Sequence, residues 1–277
     1  MPVGVVTDST AALPAEVRDR WDIGVVPLAI TVDGRTVADG QLDTAEILGA
    51  RNHSSSSPSP GAFAQAIAQC DQGQGVVVVT VSSTLSSTHQ SAVLAAKGAT
   101  GPVAVVDSRT AAGGQALVAV AAARAAAAGM SLDEVVDRAE WVARRVKLVG
   151  ALGNLDQLIR SGRVPGLAGR AGNRLGLRPL FDIRDGAIGK LRPALSDEAA
   201  HQRIIGIWRR TRPADATGRL HLVSLHAEVP ERAAELLAAV TAEATPADAF
   251  ISGFGQAMMI NSGTGVRGLA WYWDEPG

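Results

Sequence analysis

Three short apolar runs near the N-terminus constrain the fold more than any other feature of the chain. Val3 to Thr7, Val76 to Val81 and Val103 to Val106 are rich in valine, and turn-forming residues follow each run. Strands that are apolar on both faces are typical of parallel sheets covered by helices. We therefore expect these runs to be neighbouring strands of one parallel sheet.

The segments around these runs predict helices, and alternating strands and helices indicate an α/β architecture. The predicted helices are Ala62 to Ala68, Ser87 to Lys97 and Gln115 to Ala128. Between the first two runs, Ile23 to Val37 contains Asp33-Gly34 among alternating apolar residues, which predicts a hairpin. Residues 51–61 are rich in serine and proline and predict a polar surface loop.

The pattern changes after about residue 150. Just before residue 150, the pattern of Leu132 to Val146 predicts a helix. Ser131 and Glu134, three residues apart, predict a capping box at its start. Beyond it we expect a hairpin at residues 180–191, strands at 220–225, 249–254, 258–260 and 269–273, and a helix at 231–243. The sequence therefore predicts two domains, a parallel-sheet α/β/α domain over residues 1–150 and a mixed α+β domain over residues 151–277.

Composition disfavours several classes of protein. Hydrophobic residues make up 47% of the 277 residues and charged residues 19%, which is ordinary for a globular chain and unlike a disordered one. No apolar run is long enough to cross a membrane, and no signal peptide is evident, so we expect a cytoplasmic protein without an integral membrane segment. The single cysteine, Cys70, excludes an intramolecular disulfide and a cysteine-based zinc site, and we expect it to pack.

Charge is distributed unevenly along the chain. Residues 138–219 carry an excess of ten positive charges, whereas residues 1–137 and 220–277 carry excesses of six and five negative charges. Such a basic block can attract an anionic ligand or an acidic partner surface. It can equally be a solvated helical face, and the sequence leaves both interpretations open.

Short hydroxyl side chains follow each of the three predicted strands. These segments are Asp8 to Thr10, Ser82 to Thr88 and Asp107 to Thr110. Ligands of parallel sheets bind beyond the carboxyl ends of the strands, and the second segment also opens a helix whose free amides favour an anion. A carboxylate or phosphate bound by Ser86, Ser87 or Thr88 is one interpretation. The other is that these residues only cap the helix and form turns.

Several catalytic and cofactor motifs are absent. The chain has no G-x-G-x-x-G that follows a strand and opens a helix, no G-x-x-x-x-G-K-[ST] and no G-x-S-x-G. These absences disfavour dinucleotide, nucleoside triphosphate and α/β-hydrolase sites. The five histidines show no H-E-x-x-H spacing, so we expect no metal site. His89 follows the serine cluster and leaves open a serine-dependent enzyme in which it acts as the base.

Seven segments, taken in chain order, resemble the signature segments of the DegV family. They are VVTDSTAALP from Val5, SSSSPSPGAF from Ser54, VSSTLSSTHQSA from Val81, VVDSRTAAGG from Val105, GNLDQLIRSGRV from Gly153, LGLRPLFDIRDGAI from Leu175 and GQAMMINSGTGVRGLA from Gly255. Each segment is weak alone, but their order and their spread over nearly the whole chain make the resemblance specific.

The resemblance implies a two-domain protein that holds one long-chain fatty acid, such as palmitate or oleate, in a buried tunnel. It implies that a separate fatty-acid kinase phosphorylates the carboxylate, and that the binding protein itself has no nucleotide site, metal or other cofactor. The implied carboxylate-binding residues are Ser55, Ser56, Ser86, Ser87, Thr88 and Asn261. Arg163 and Arg192, both in the basic block, are implied as residues that dock the kinase.

The chain departs from the family pattern at three positions of the expected site. Ser55 stands where the family has threonine, Ser87 where it has glycine, and Asn261 where it has histidine. An asparagine can still donate a hydrogen bond to a carboxylate, but it carries no charge. Fatty-acid binding is therefore expected to survive the third change more easily than a charge-dependent transfer step.

We expect a lipid-binding protein rather than an enzyme, and we expect no nucleic-acid partner. Two alternatives stay open from the sequence. One is a hydrolase or transferase that uses the cluster from Ser86 to Thr88, and the other is a lipid carrier that has no kinase partner.

Overall fold

The computed structural model describes residues 2–153, 156–163, 177–213 and 218–274. Its strands are β1 (Gly4–Asp8), β2 (Ile23–Val26), β3 (Ala29–Val32), β4 (Arg35–Ala38), β5 (His53–Ser56), β6 (Val76–Thr80), β7 (Val103–Asp107), β8 (Lys147–Ala151), β9 (Arg178–Arg184), β10 (Ala187–Ala194), β11 (Arg219–His226), β12 (Asp248–Gly253) and β13 (Arg267–Asp274). Its helices are α1 (Ala15–Arg20), α2 (Thr44–Gly49), α3 (Pro60–Cys70), α4 (Thr88–Ala96), α5 (Ala112–Ala127), α6 (Leu132–Ala143), α7 (Asp156–Arg160), α8 (Asp197–Arg209), α9 (Pro230–Thr241) and α10 (Gln256–Ser262). Residues 154–155, 164 and 175–176, which belong to two of the DegV-like segments, lie outside the described residues.

The three valine-rich runs form neighbouring strands of a parallel sheet, as expected. The strand order is β2-β1-β6-β7, and every pairing is parallel. Val5 of β1 lies opposite Ile23 on one side and Val77 on the other. All residues of β1 and β6 are buried, which agrees with their apolar composition on both faces.

The region from residue 23 to residue 61 differs from the expectation in two ways. Ile23–Val26 joins the parallel sheet, so the hairpin with Asp33-Gly34 at its turn contains only β3 and β4. The loop predicted over residues 51–61 is wrong in part, because β5 pairs antiparallel with β3. A strand of serines has no apolar alternation to reveal it, and here the partner strand supplies the backbone hydrogen bonds.

The second half of the chain forms a six-stranded mixed sheet, which confirms the expected change of architecture. The strand order is β10-β9-β8-β13-β11-β12, and among these pairings only β11 with β12 is parallel. The predicted hairpin is formed by β9 and β10, with Asp185-Gly186 at its turn and Ile188 opposite Ile183 in the paired strands. The boundary proposed near residue 150 falls within β8, the first strand of this sheet in chain order.

Helix α5 lies between the two large sheets and contacts β1 and β6 on one side and β11 and β13 on the other. Fourteen of its sixteen residues are buried, and most of them are alanine or glycine. These small side chains let both sheets approach the helix closely. A Cβ atom added to Gly113 would lie 2.6 Å from Cγ1 of Val223. One hydrophobic core therefore includes residues of both sheets and of α5.

Helix ends confirm one sequence prediction and overturn another. Ser131 and Glu134 form the predicted capping box of α6. The strand edge predicted over residues 258–260 is wrong, because these residues lie in α10. That helix ends at Ser262 and is followed by Gly263, which has a φ of 76°. Ala257 to Ile260 form a short apolar run, which cannot by periodicity alone be assigned to strand or helix. In the described part of the chain, no helix is long and apolar enough to span a membrane.

Candidate ligand-binding site

A cavity of about 450 Å³ lies between the parallel sheet and the six-stranded sheet. Ligand pockets of proteins typically measure about 300–1,000 Å³. Most of its wall is apolar and comes from the six-stranded sheet, from segments that follow strands of the parallel sheet, and from helices α5, α7 and α10. The apolar lining residues are Leu28, Val81, Leu85, Ala111, Ala112, Leu148, Leu152, Leu158, Phe181, Ile183, Ile188, Phe254 and Met258. The cavity therefore suits a ligand with a large apolar part.

The polar lining residues are Thr10, Ser55, Ser56, Ser57, Ser86, Ser87, Arg163, Asn261 and Ser262. They come from the segment after β1, from β5 and the residue after it, from the turn before α4, from the segment after α7, and from α10. Ser56 and Ser87 are exposed, whereas Ser55 and Ser86 are half-buried. The polar part of the wall therefore includes positions that reach solvent.

A chain of hydroxyl groups joins β5 to the start of α4. Ser57 Oγ lies 3.1 Å from Ser86 Oγ and 2.8 Å from Ser87 Oγ. Ser86 Oγ lies 2.8 Å from Thr88 Oγ1 and accepts a hydrogen bond from the Thr88 amide at 3.3 Å. Ser57, which directly follows the predicted Ser55 and Ser56, thus links their segment to the predicted hydroxyls at the start of α4.

Two details of this chain of hydroxyls differ from the sequence analysis. Thr88 is fully buried and is not among the cavity-lining residues, so it positions Ser86 and does not face the cavity. Ser57 was not predicted as a site residue, although it joins Ser86 to Ser87. Strand periodicity places Ser57 on the same face as Ser55, and this signal could have identified it.

Asn261 connects Ser55 to Arg163. Its side-chain amide donates to Ser55 Oγ at 2.9 Å and to the carbonyl of Ala257, one turn earlier in α10, at 2.7 Å. Its side-chain oxygen accepts a hydrogen bond from Nη1 of Arg163 at 2.8 Å. The side chain of Asn261 is therefore hydrogen-bonded to both Ser55 and Arg163.

The two arginines predicted as partner-docking residues lie in different environments. Arg163 is half-buried in the cavity wall, and this burial lowers the pKa of its guanidinium. Arg192 is exposed on β10, where its carbonyl oxygen accepts a hydrogen bond from Arg203. Of the two, only Arg163 is near the residues predicted to bind the carboxylate, and the docking role of both arginines stays a prediction.

Asp8 fixes the end of β1 next to the cavity-lining residue Thr10. It is fully buried and accepts hydrogen bonds from the amides of Thr10 at 3.0 Å and Val81 at 2.9 Å, and from the side chain of Gln115 at 3.0 Å. Burial raises the pKa of this carboxyl group, and the hydrogen bonds oppose that effect. The contacts tie β1 to β6 and α5, which holds this part of the wall in place.

The serine–histidine pair that a hydrolytic site would need is not formed. His89 Nδ1 lies 3.0 Å from Oγ1 of Thr80, at the end of β6. The hydroxyl of Ser86 is instead hydrogen-bonded to the hydroxyls of Ser57 and Thr88. Among the side chains that the structure describes, no group of histidine, cysteine, aspartate and glutamate is placed to hold a metal ion.

The fold is an α/β fold, and its cavity suits a largely apolar small molecule with a polar end. Comparison with known proteins supplies the family. Residues 2–274 match the model of the DegV family. The chain therefore belongs to the DegV family.

Similarity to known relatives, in sequence and in structure, extends over almost the whole chain. A DegV domain-containing protein of Mycobacterium tuberculosis is 34% identical over 276 residues, which cover 97% of this chain and 96% of the relative. A protein of Thermotoga maritima named fatty acid-binding protein is 29% identical and is covered to 97%. A crystal structure of a DegV lipid binding protein from Thermotoga maritima matches with a TM-score of 0.87, 28% identity and full coverage of both chains.

A second solved structure concerns fatty-acid binding directly. The fatty-acid-binding DegV family protein of Thermus thermophilus matches with a TM-score of 0.89 and 27% identity, over 99% of this chain and 100% of that one. The DegV-like α/β fold expected from the sequence is thus confirmed, and the similar DegV protein of Thermus thermophilus binds fatty acid.

Proposed function

We propose that this protein binds one long-chain fatty acid, with the acyl tail in the apolar part of the cavity and the carboxylate at its hydroxyl-rich end. The observation that carries the proposal is the division of one cavity into an apolar wall and a cluster of serine hydroxyls. Fatty-acid binding by similar DegV proteins supports it.

The energetics of the two parts of the cavity agree with this ligand. Each methylene group buried from water contributes about 0.8 kcal/mol, so a tail of about 16 carbons has a gross transfer free energy of roughly 10 kcal/mol. The loss of freedom on binding offsets part of that. The hydroxyls of Ser55 and Ser86 and the amides at the start of α4 then need only to orient the carboxylate.

We further propose that the bound carboxylate is presented to a separate fatty-acid kinase. Ser56 and Ser87 are exposed and line the cavity at the same time, so the head-group end is within reach of a partner. Arg192, exposed on β10, is the proposed docking residue, while the basic block supplies the electrostatic attraction.

The experiment that tests ligand binding is extraction of the purified protein followed by mass spectrometry. We expect a long-chain fatty acid in near-stoichiometric amount, and a rise in melting temperature when palmitate or oleate is added to delipidated protein. An extract without acyl chains, together with no thermal shift, would contradict the proposal.

A lipid carrier without a kinase partner is the second candidate, and Asn261 is the observation that favours it. A neutral side chain stands where the family has a histidine, and it is bonded to Ser55 and Arg163. Incubation of the palmitate complex with ATP and a bacterial fatty-acid kinase distinguishes the two candidates. Formation of acyl phosphate supports presentation to a kinase, whereas binding without transfer supports the carrier.

A further inference from the structure

A second cavity, of about 470 Å³, lies beside the C-terminal half of α5. Among the residues that the structure describes, its lining has no residue in common with the cavity between the two sheets. The cavity between the sheets reaches α5 at Ala112, and the second cavity begins at Ala121, nine positions later. At a rise of 1.5 Å per residue these positions are about 14 Å apart along the helix, so the two cavities are separate sites.

Four arginines line this second cavity, which we call the arginine cavity. One comes from each of α1, α5, α6 and β11, and they are Arg20, Arg124, Arg138 and Arg219. Two of the four are paired within the protein. Arg124 forms an ion pair with Asp248, and Arg138 donates two hydrogen bonds to the carboxylate of Asp274, at 2.6 and 3.0 Å.

The other two arginines, Arg20 and Arg219, are exposed. Neither forms an ion pair with any side chain in the part of the chain that the structure describes. Four guanidinium groups against two carboxylates leave the arginine cavity with an excess of two positive charges. Such a concentration of one sign of charge attracts an anion.

Contacts around Trp21 hold two of these cations close together. The guanidinium carbons of Arg20 and Arg124 lie 5.3 and 5.2 Å from the centroid of its indole ring. Burial lowers the pKa of the Arg124 guanidinium, and repulsion by Arg20 and Arg138 adds to this effect. A bound anion would offset the repulsion between the guanidinium groups.

One buried polar atom in the wall of the arginine cavity also has no hydrogen-bond partner. His221 is buried, and its Nδ1 lies 3.1 Å from Nη1 of Arg124. Its Nε2 has no hydrogen bond among the described residues and lies 3.6 Å from Oδ2 of Asp274. Buried nitrogen atoms are normally hydrogen-bonded in folded proteins. The polar wall of the arginine cavity is therefore unsatisfied both in charge and in hydrogen bonding.

Apolar side chains complete the wall beside the arginines. Ala121, Ala125, Ala128 and Met130 line the cavity, and Met130 is exposed although it is large and apolar. A phosphomonoester carries about 1.5–2 negative charges near pH 7 and three acceptor oxygens, whereas a carboxylate carries a single charge. The phosphomonoester therefore matches the excess of two charges, and its oxygens match the planar forks of arginine.

We propose that the arginine cavity binds a phosphomonoester, with Arg20 and Arg219 as the principal cations for its phosphate and with its organic part against the alanines of α5 and Met130. This site is additional to the cavity proposed for the fatty acid, and the inference does not depend on fatty-acid binding.

The test uses phenyl phosphate as the probe, in calorimetric titrations at pH 7.5 and constant ionic strength. Benzoate, which has the same ring and one negative charge, is the comparison ligand and should bind at least tenfold more weakly. Arg20→Gln and Arg219→Gln should each weaken phenyl phosphate binding by roughly tenfold or more, the typical effect of losing a hydrogen bond to a charged group. Arg35→Gln, at an exposed arginine that begins β4 and does not line the cavity, is the matched control and should leave binding unchanged.

Four results would overturn the inference. They are no binding of phenyl phosphate by the parent protein, equal binding of benzoate, equal weakening in the control variant, and unchanged binding in both site variants. Thermal scans of the ligand-free variants establish that each one is folded. Arg219→Lys, which keeps the charge and loses the planar fork, should recover part of the affinity lost in Arg219→Gln.

A competition experiment separates the arginine cavity from the cavity between the sheets. Saturation with palmitate should leave the affinity for phenyl phosphate unchanged, because the two cavities have no described lining residue in common. Displacement of phenyl phosphate by palmitate would place the probe in the cavity between the sheets and would also overturn the inference. If palmitate itself does not bind, the proposed fatty-acid function fails while the phosphomonoester site is still decided by the variants.

Discussion

Asn261 donates a hydrogen bond to the hydroxyl of Ser55 at 2.9 Å, across 206 positions of the sequence. Ser55 belongs to β5 of the three-stranded sheet, and Asn261 belongs to α10, which packs against that strand. The polar end of the cavity is therefore assembled from distant parts of the chain. Its geometry depends on the packing of α10 as much as on the serines themselves.

The first prediction concerns the hydroxyl groups. Ser86→Ala should lower the affinity for palmitate by about 1–3 kcal/mol, because the charged carboxylate loses one hydrogen bond. Ser55→Ala should act similarly and should also release the amide of Asn261. The measurement is a fluorescent fatty-acid competition assay. Ser91→Ala, in α4 but not among the cavity-lining residues, is the control. Parent-like binding by both site variants would place the carboxylate at another part of the wall.

The second prediction concerns Asn261→Asp, which preserves shape and adds a negative charge. The new carboxylate would face the guanidinium of Arg163, now 2.8 Å from the side-chain oxygen. It should form an internal ion pair with Arg163 and repel the ligand, so palmitate affinity should fall at least tenfold. Calorimetric titration with palmitate measures the effect. Undiminished affinity would show that Asn261 does not border the head group.

The parallel sheet could be predicted from the sequence because the valine runs β1, β6 and β7 are apolar on both faces. Each of these strands is also followed by polar residues at the same edge of the sheet. The capping box of α6 is equally local, since Ser131 and Glu134 are three residues apart. Signals of this kind need no knowledge of the rest of the chain.

The parts that sequence reasoning missed depend on distant partners. β5 is a strand because β3 pairs with it, and its own residues give no strand signal. The position of Arg163 in the cavity wall depends on its contact with Asn261, 98 positions later. Ser57 joins the site through the hydroxyls of Ser86 and Ser87. No local pattern encodes these relationships, so they appear only in the assembled structure.

The third prediction tests the proposed docking residue. Arg192→Glu should abolish phosphoryl transfer by a fatty-acid kinase and leave palmitate affinity unchanged, because the side chain is exposed and is not among the cavity-lining residues. Arg35→Glu, an exposed arginine of β4, makes the same change of charge elsewhere and should leave transfer intact. A parallel loss of binding and transfer in Arg192→Glu would mean that the residue supports the fold instead of the partner contact.

The fourth prediction concerns the close approach of α5 to the six-stranded sheet. Gly113→Ala should lower the free energy of unfolding by about 1–3 kcal/mol, because overpacking forces a core to shift. Its Cβ would lie 2.6 Å from Val223 Cγ1, whereas a Cβ on Gly61 in α3 has Ser59 Oγ at 3.8 Å as its nearest neighbour. Gly61→Ala should therefore be neutral or slightly stabilising. Urea unfolding of both variants measures the difference, and equal effects would contradict the tight packing.

The fifth prediction concerns His221, a buried histidine of β11. Its ring stacks on Tyr272 with the centroids 4.4 Å apart, and its Nδ1 lies 3.1 Å from the Asp248 carboxylate and 3.1 Å from Nη1 of Arg124. The charged and titratable groups around the ring are Arg124, Arg138, Asp248, Tyr272 and Asp274. Burial, assisted by the two arginines, lowers the pKa of His221 to about 4 against the opposing effect of Asp274.

The sign of the resulting pH dependence follows from that pKa. In the unfolded chain a histidine has a pKa of about 6.5, so below this pH the unfolded state binds a proton that the folded state refuses. The free energy of unfolding should therefore fall as the pH drops from 7 to 4, by about 3 kcal/mol from this residue. Carboxyl groups titrate in the same range, so the measurement is the difference between the parent and His221→Gln in urea unfolding at pH 7 and pH 4. If the parent loses no more stability than His221→Gln, the histidine is protonated in the folded protein and the assignment of its pKa is wrong.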